Sequence, residues 1–230
     1  MSLETLNGTN LVKSLIADPE LIQRRRGQFI SAAIKLFSRK GYGATTVKEI
    51  AKEAGVSAGL IYQYVENKED ILFLALQRVI DTNRKVLPVV LDQADDPILR
   101  FIGANDAYCR VIDANRDAVL LTYRETKTLS RRHRTAIKEM EIETNLYISN
   151  PVRQCIDAGY FRQVNVELVT YHMITMAHAW ALKHWRFKDI FTLEGYIKDN
   201  IDLILHSLLT TPGWKHYRGL QPPEELERTV

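Results

Sequence analysis

The sequence predicts an all-α protein, and three features of the 230-residue chain support this prediction. Apolar residues recur at intervals of three and four from Leu21 onward, which is the period of amphipathic helices. No segment shows the sustained apolar–polar alternation of a half-buried strand. Capping residues, glycines and prolines separate the periodic segments. About nine helices are therefore expected, over residues 24–40, 47–54, 58–65, 68–87, 97–115, 117–123, 130–158, 166–183 and 193–209.

Local signals at the helix ends support these boundaries. Thr46 and Glu49 have the spacing of a capping box, and Gly55 is a suitable C-terminal residue for the helix that follows Thr46. Pro151 is expected to kink or divide the long helix over residues 130–158. The N-caps of four further helices are expected at Ser57, Asn67, Asn165 and Thr192.

The order of these segments predicts two domains with loose ends. Residues 1–20 are polar and lack periodicity, so we expect a flexible N-terminal arm. Residues 21–67 hold three helices and form a small N-terminal domain, whereas residues 68–210 form a larger helical domain. Residues 211–230 contain three prolines and are expected to form a loose C-terminal tail.

The composition excludes several classes of protein. With 46% hydrophobic and 26% charged residues, the chain has the composition of a globular protein. Cys109 and Cys155 are far apart, which argues against a disulfide scaffold or a zinc ribbon and fits a reducing cytoplasm. No secretory leader is evident, and the uncharged segment 168–182 is shorter than the ~20 residues of a membrane span. We expect a cytoplasmic protein without membrane contact.

Motifs of enzymes and metal sites are not found in the sequence. There is no G-x-S-x-G or H-E-x-x-H motif, and the Gly-rich segment 41–46 follows a helix and lacks the lysine of a phosphate loop. His172, His178 and His184 recur every six residues, a spacing that turns each about 240° from the last on a helix. They cannot share one metal, so we expect no catalytic residue, no metal and no cofactor.

Positive charge is concentrated near the N-terminus, although the net charge is only +3. Residues 21–70 contain nine Lys or Arg against five Asp or Glu, whereas residues 71–230 contain 21 against 20. A local excess of this kind favours a polyanionic partner for the N-terminal domain. A solvated basic surface is the alternative explanation.

The segment Thr46–Lys68 has the pattern of a helix-turn-helix motif. Two short helices that share a small apolar face and are joined by Gly-Val-Ser make such a motif. The other face of the second helix bears small and polar side chains, which suit the DNA major groove. The apolar face comprises Val47, Ile50, Ala51, Ala54, Ile61 and Val65.

The run AGVSAGLIYQYVENKEDIL, residues 54–72, resembles the signature of the TetR family of transcriptional regulators. That signature combines Ala-Gly-Val-Ser, Gly or Pro, Leu-Tyr, an aromatic residue or His, Phe or Val, Asn or Ser, and Lys-Glu. The resemblance covers about 45 residues, and the rest of the chain is similar to the family only as an all-helical sensor domain. It implies a three-helix DNA-binding domain followed by a larger domain that dimerises and binds a ligand.

The resemblance also implies which residues contact DNA. Hydroxyl and ammonium groups of Thr46, Tyr62, Tyr64 and Lys68 suit phosphate oxygens, although either tyrosine is alternatively a core residue, and the family often has His at position 64. Lys48 aligns with a position that reaches guanine, or is a solvated lysine. Gln63 suits adenine and Leu60 a thymine methyl. The candidate DNA-binding residues are Thr46, Lys48, Ser57, Ala58, Gly59, Leu60, Tyr62, Gln63, Tyr64 and Lys68.

Three consecutive arginines, Arg24, Arg25 and Arg26, stand at the start of the first helix. In the TetR family this end of the helix often lies near the DNA backbone, which implies phosphate contacts for these side chains. A solvated helix start is the alternative.

In the TetR family the last two helices pair with their copies in a second subunit, which implies a homodimer. The apolar faces of these helices in this chain are the expected interface, with an intramolecular core as the alternative. The candidate interface residues are Leu168, Thr175, Ala179, Ile197, Ile201, Ile204, Leu205 and Leu208.

Large side chains in the middle helices predict an apolar ligand pocket, although any one of them is equally explained by core packing. The segment Tyr123–Arg134 resembles TetR-family regulators of lipid or aromatic-acid degradation that respond to acyl-CoA thioesters; a solvated basic loop is the alternative. The candidate pocket residues are Tyr108, Tyr123, Arg124, Met140, Tyr147, Phe161, Met176 and Trp180.

These expectations combine into one functional hypothesis. The chain is expected to be a repressor that binds a palindromic DNA operator as a homodimer and is released by a small apolar effector such as an acyl-CoA thioester. An aromatic or drug-like effector is the nearest alternative. A helical enzyme and a protein-binding adaptor are the more distant ones.

Overall fold

The structure is a computed structural model that describes residues 11–220 and contains helices but no strand within that range. The all-α prediction is confirmed, with nine helices of seven or more residues among the eleven described. Within the same range, no helix has the length and apolar character needed to cross a membrane. The helices are α1 (Pro19–Lys40), α2 (Val47–Ala54), α3 (Ala58–Ile61), α4 (Lys68–Leu91), α5 (Pro97–Ala114), α6 (Arg116–Glu125), α7 (Arg131–Asp157), α8 (Val166–Leu182), α9 (His184–Phe187), α10 (Leu193–Leu208) and α11 (Thr211–Leu220).

The expected N-caps are present. The side-chain oxygens of Thr46, Ser57, Asn165 and Thr192 each accept a hydrogen bond from the backbone N–H three residues later, at 3.0–3.2 Å. Asn67 accepts one from the N–H of Asp70 at 3.0 Å. Because these N–H groups have no partner within their own helix, the caps determine where the helices begin.

The sequence predicts that one helix ends at residue 87, before Pro88, and that Pro151 kinks or divides the long helix. Pro88 lies inside α4, which continues to Leu91, and Pro151 lies inside α7, so the long helix is not divided there. A proline removes one backbone hydrogen bond, but the packing of buried residues next to it retains the helix. Leu87, Val152 and Cys155 are all buried beside these prolines.

The first half of the predicted C-terminal tail is helical rather than loose. Thr210 Oγ1 accepts a hydrogen bond from the N–H of Gly213 at 3.1 Å and so caps α11. Gly213 is needed here because a Cβ atom would lie 2.1 Å from the carbonyl oxygen of Tyr160. His216 on the same helix stacks on the Tyr160 ring and pairs with Asp96. Residues 221–230 of the tail lie outside the described residues.

The chain forms two compact units whose division differs from the predicted domain boundary. The first unit combines the chain up to Thr82 with Asn115–Glu143, and the second combines Asn83–Ala114 with Thr144 onward. The first unit is larger than expected because α6 packs on α1, where Arg124 donates a hydrogen bond to the carbonyl oxygen of Phe37 at 2.7 Å.

The second unit is built on α5, which packs against both α8 and α10. Tyr108 Oη lies 2.9 Å from His178 Nε2, and the indole N–H of Trp180 donates to Asp113 at 2.7 Å. Tyr196 Oη on α10 donates to the carbonyl oxygen of Met176 at 2.6 Å. These three contacts link α5, α8 and α10 through polar groups.

The part of the predicted flexible arm that the structure describes is attached to the first unit. Val12 is buried, and the N–H of Leu15 donates to the carbonyl oxygen of Gln63 at 2.8 Å. The side chain of Ser14 donates to the same oxygen at 3.2 Å. Residues 1–10 of the arm lie outside the described residues. Residues 11–18, the described part of the arm that precedes α1, therefore lie against the residues that follow α3.

Arg26 fastens this arm. Its side chain is buried, and its guanidinium donates to the carbonyl oxygen of Val12 at 2.7 Å and to that of Tyr64 at 2.8 and 3.1 Å. Burial lowers the pKa of Arg26, and the Asp70 carboxylate opposes that effect. The predicted phosphate contact of Arg26 is therefore wrong, because its donors are turned inward. Arg24, two residues earlier, is exposed.

Replacing Arg26 by methionine is expected to destabilise the first unit. Methionine preserves the apolar stem but leaves two buried carbonyl oxygens without donors, which costs about 2–4 kcal/mol of unfolding free energy. Urea unfolding followed by circular dichroism measures this change. The matched control is Arg24→Met, which is expected to stay within about 0.5 kcal/mol of the wild type. Equal stability of the two variants would show that Arg26 does not fasten the arm.

Candidate DNA-binding surface

The turn between α2 and α3 gives the two helices of the motif their relative orientation. Gly55 has φ +68°, a left-handed conformation that suits glycine, and its N–H continues the hydrogen bonds of α2. The N–H of Val56 then donates to the carbonyl oxygen of Ala51 at 2.9 Å. Ser57 begins α3 immediately afterwards. The motif predicted over Thr46–Lys68 is therefore formed.

Helix α3 ends at Ile61, although the sequence predicts helix to Val65. Beyond Ile61 the backbone turns more tightly, with the N–H groups of Gln63 and Tyr64 donating three residues back. The carbonyl oxygens of Gln63 and Tyr64 instead accept hydrogen bonds from the arm and from Arg26. Hydrogen-bond partners that are distant in sequence thus influence where α3 ends.

Most of the residues predicted to contact DNA lie at the surface of the first unit. Tyr62 is 48% exposed, whereas Tyr64 is only 3% exposed, so Tyr64 is a core residue as the alternative interpretation held. Lys48 is exposed and forms no ion pair within the described residues. The exposed members of the set are Thr46, Lys48, Ser57, Gly59, Tyr62 and Gln63, and the partly exposed ones are Ala58, Leu60 and Lys68.

Lys68 has partners that the sequence did not indicate. Its ammonium donates to the carbonyl oxygens of Tyr42 at 2.8 Å and Thr45 at 2.9 Å, and lies 4.2 Å from the centre of the Tyr42 ring. It therefore holds the loop that leads to Thr46, the N-cap of α2. In this structure Lys68 positions the residues before α2, and phosphate contact stays a prediction.

Lysines neutralise the acidic residues near the motif. Lys40 pairs with Glu49, and Lys35 pairs with Glu53. The hydrogen bond from Lys40, with those from Thr46, lowers the pKa of Glu49 to about 2. Each pair cancels one positive and one negative charge, so the net positive charge of residues 21–70 resides on other side chains.

Asp70 is a structural residue that the sequence analysis missed. Its carboxylate accepts the N–H groups of Glu66 at 2.8 Å and Asn67 at 3.2 Å, while its own N–H donates to Asn67. This is a reciprocal cap at the start of α4. The spacing of an Asn N-cap and an acid three residues later is a sequence signal that predicts it.

The residues predicted to line a ligand pocket are divided between the two units. Tyr123, Arg124 and Met140 belong to the first unit, where Arg124 is bound to the carbonyl oxygen of Phe37 and Tyr123 is exposed. The others belong to the second unit, where Phe161 packs against Phe101 and the rest lie on α5, α7 and α8. These others are Tyr108, Tyr147, Phe161, Met176 and Trp180.

His178 on α8 is a titratable group of this core whose pKa is shifted by its surroundings. Burial lowers its pKa to about 4, so the ring is neutral near pH 7. It stacks near Tyr108 and shares a hydrogen bond with it. His178 is therefore a packed histidine, whereas His172 on the same helix is exposed.

Five residues of α10 that the sequence predicts for the interface are buried within the chain itself. Ile197, Ile201, Ile204, Leu205 and Leu208 are all buried within this single chain, so they contribute to the intramolecular core. The exposed apolar residue of α10 is Leu203, at 66%. On α8, Leu168 is 70% exposed and Thr175 is exposed, with Tyr171 at 38% on the same side of the helix. Ala179 is half-buried.

Comparison with known protein families gives two matches along the chain. Residues 29–75 match the model described as bacterial regulatory proteins, tetR family. Residues 94–185 match the model described as tetracyclin repressor-like, C-terminal domain. The first match contains the whole helix-turn-helix motif.

Individual proteins are also similar to this chain. The HTH-type transcriptional regulator HbdR of Aromatoleum sp. (strain CIB) is 46% identical over 208 residues, which are 90% of this chain and 91% of that protein. The HTH-type transcriptional repressor KstR2 of Mycobacterium tuberculosis (strain ATCC 25618 / H37Rv) is 27% identical over 150 residues, 64% of this chain and 75% of that protein.

A solved structure supports the fold. The complex of AibR with isovaleryl coenzyme A and operator DNA has a TM-score of 0.66 and 18% identity, covering 78% of this chain and 97% of that chain. The relatives are transcriptional regulators rather than enzymes. With both family models matched and a relative this similar over nine-tenths of its length, the chain belongs to the TetR family of DNA-binding transcriptional regulators.

Proposed function

We propose that this regulator binds a palindromic operator as a homodimer, represses transcription there, and is released by an acyl-CoA thioester. The observation that carries the DNA part is the exposed surface of α3 and of the α2 N-terminus, which bears groups suited to phosphates and base edges. The ligand acts by binding more tightly to a conformation with low DNA affinity. Repression is supported by the name of the relative KstR2.

The DNA contacts divide into those that position the protein and those that read sequence. Tyr62 and Thr46 offer hydroxyls to phosphates, which hold the protein in register without base preference. Gln63 is exposed at the end of α3 and offers an amide to an adenine edge. Lys48 offers an ammonium to guanine or phosphate.

Tyr62→Phe and Gln63→Ala are expected to weaken DNA binding in different ways. Removing the Tyr62 hydroxyl from its phosphate lowers affinity similarly for all sequences, whereas removing the Gln63 amide costs about 1–3 kcal/mol only at the operator. Mobility shifts with the DNA upstream of the protein's own gene, against a scrambled duplex, distinguish the two. Tyr123→Phe, at a tyrosine 56% exposed on α6, is the control. If the wild type shifts no intergenic fragment, the DNA proposal is wrong.

Dimerisation is supported by apolar residues that the single chain leaves exposed on α8 and α10. Leu168 and Leu203 are each about two-thirds exposed, and such residues gain from burial against a second copy. The two subunits then present their recognition helices to two half-sites, one DNA turn apart at about 34–36 Å.

The double variant Leu168→Glu, Leu203→Glu is expected to be monomeric at micromolar concentration. Two like charges per subunit cannot be buried together without a large desolvation penalty. Sedimentation velocity measures the oligomeric state, and Val89→Glu, at a residue 59% exposed, is the control that is expected to stay dimeric. A monomeric wild type that still binds the operator would overturn this proposal.

Effector binding is supported by two buried asparagines of the second unit, each with one side-chain atom that has no hydrogen-bond partner within the described residues. Asn83 is 2% exposed and Asn145 is 8% exposed, yet Asn83 Oδ1 and Asn145 Nδ2 form no hydrogen bond within the described residues. Unpaired buried polar groups of this kind are costly, and a polar part of a bound ligand would satisfy them. A thioester offers carbonyl and amide groups next to an acyl chain, and AibR is described in complex with such a ligand.

Acyl-CoA thioesters are expected to release the wild-type protein from DNA, and Asn145→Ala is expected to respond less. Loss of one buried hydrogen bond raises the thioester concentration for half-release about 5- to 10-fold while DNA affinity is unchanged. Titration of the protein–DNA complex with a panel of acyl-CoAs and with free CoA measures this. Asn150→Ala, at an exposed position of the same helix, is the control. Release by aromatic or drug-like compounds and by no thioester would reject the acyl-CoA assignment.

A further inference from the structure

The segment Thr126–Lys138 carries a concentration of positive charge that the proposed function does not use. It contains five Lys or Arg and no Asp or Glu. Lys127, Arg131 and Arg132 are exposed, and none of the three forms an ion pair within the described residues. We call Lys127, Arg131 and Arg132 the basic segment.

Contacts on both sides of Arg131 and Arg132 fix the backbone of the basic segment. The N–H of Ser130 donates to Glu69 at 2.9 Å, and the Nδ1 atom of His133 lies 2.8 Å from the same carboxylate oxygen. The His133 ring is buried and stacks on Phe73, with ring centres 4.4 Å apart. The two arginines therefore project from a fixed point and not from a mobile loop.

This fixed point lies beside the DNA-binding motif. Glu69 is in the first turn of α4, one residue after Lys68, whose ammonium holds the loop before α2. Summing the covalent steps and the Ser130–Glu69 hydrogen bond limits the distance between the Cα atoms of Lys68 and Arg131 to about 17 Å. Ser130, Arg131, Lys68 and the helix-turn-helix motif all belong to the first unit.

The local structure does not stabilise these charges. The N-terminal end of a helix carries partial positive charge, so Arg131 and Arg132 in the first turn of α7 are in an unfavourable position. Within the described residues they have no carboxylate partner that compensates for this repulsion. An external anion is the group that these side chains suit best, and duplex DNA is the anion that the family binds.

We propose that the basic segment is a second DNA contact, which binds phosphates of the same duplex beyond those reached by the helix-turn-helix motif. The contact is electrostatic and independent of base sequence, so it adds affinity to every duplex and does not select the operator. The proposal rests on the DNA-binding part of the proposed function.

The test is the double variant Arg131→Ala, Arg132→Ala, studied as the full chain. Affinity for operator and scrambled duplex is expected to fall by a similar factor, roughly 10-fold or more at low salt. The slope of log affinity against log salt concentration is expected to become less negative by about 0.9 for each phosphate that is no longer neutralised, or about 1.8 per subunit. The unfolding temperature is expected to be unchanged or slightly raised, because repulsion at the start of α7 is relieved.

The matched control is Arg186→Ala, Lys188→Ala, which removes the same charge from exposed positions of the second unit and is expected to keep the wild-type slope. Equal salt slopes for wild type, variant and control would overturn the proposal. So would a variant that binds DNA like the wild type but no longer responds to acyl-CoA, since the arginines would then serve the effector phosphates. If the wild type itself binds no fragment, the proposed function fails first.

Discussion

The buried guanidinium of Arg26 is the interaction on which the recognition surface depends. It supplies donors to carbonyl oxygens of Val12 and Tyr64, which belong to two segments that no regular secondary structure joins. Without these donors the described part of the arm would be held less firmly, by the burial of Val12 and the hydrogen bonds to Gln63, and the carbonyl oxygen of Tyr64 would lose its partner in the interior. The turn after Ile61, which exposes Tyr62 and Gln63, follows from this arrangement.

Two other cationic side chains of the first unit also donate hydrogen bonds to backbone carbonyl oxygens. Lys68 supplies donors to the loop before α2, and Arg124 supplies one to the C-terminal end of α1. Each cation satisfies carbonyl oxygens that helices and loops leave without partners, which is a role that apolar side chains cannot take. A domain with such short helices thereby gains rigidity, and rigid elements present DNA-contacting groups more accurately than loose ones.

Structural features that depend only on residues close in sequence could be predicted from the sequence. The caps at Thr46, Ser57 and Asn165, the turn at Gly55 and the motif of residues 46–68 are local, because a cap bonds to an N–H only three residues away. The sequence could not predict which of Tyr62 and Tyr64 is exposed and which is buried. Both are tyrosines two positions apart, and their burial depends on where α3 ends.

The sequence by itself determined the all-α class, most helix starts and the TetR-family DNA-binding motif, since periodicity and capping are encoded within a few residues. Tertiary structure decided which charged groups face inward. It turned Arg26 to the interior while leaving Arg24 exposed, and it buried the apolar face of α10 while leaving Leu203 outside. It also attached α6 and the start of α7 to the first unit. These outcomes depend on partners tens of residues away, whose positions no local pattern records.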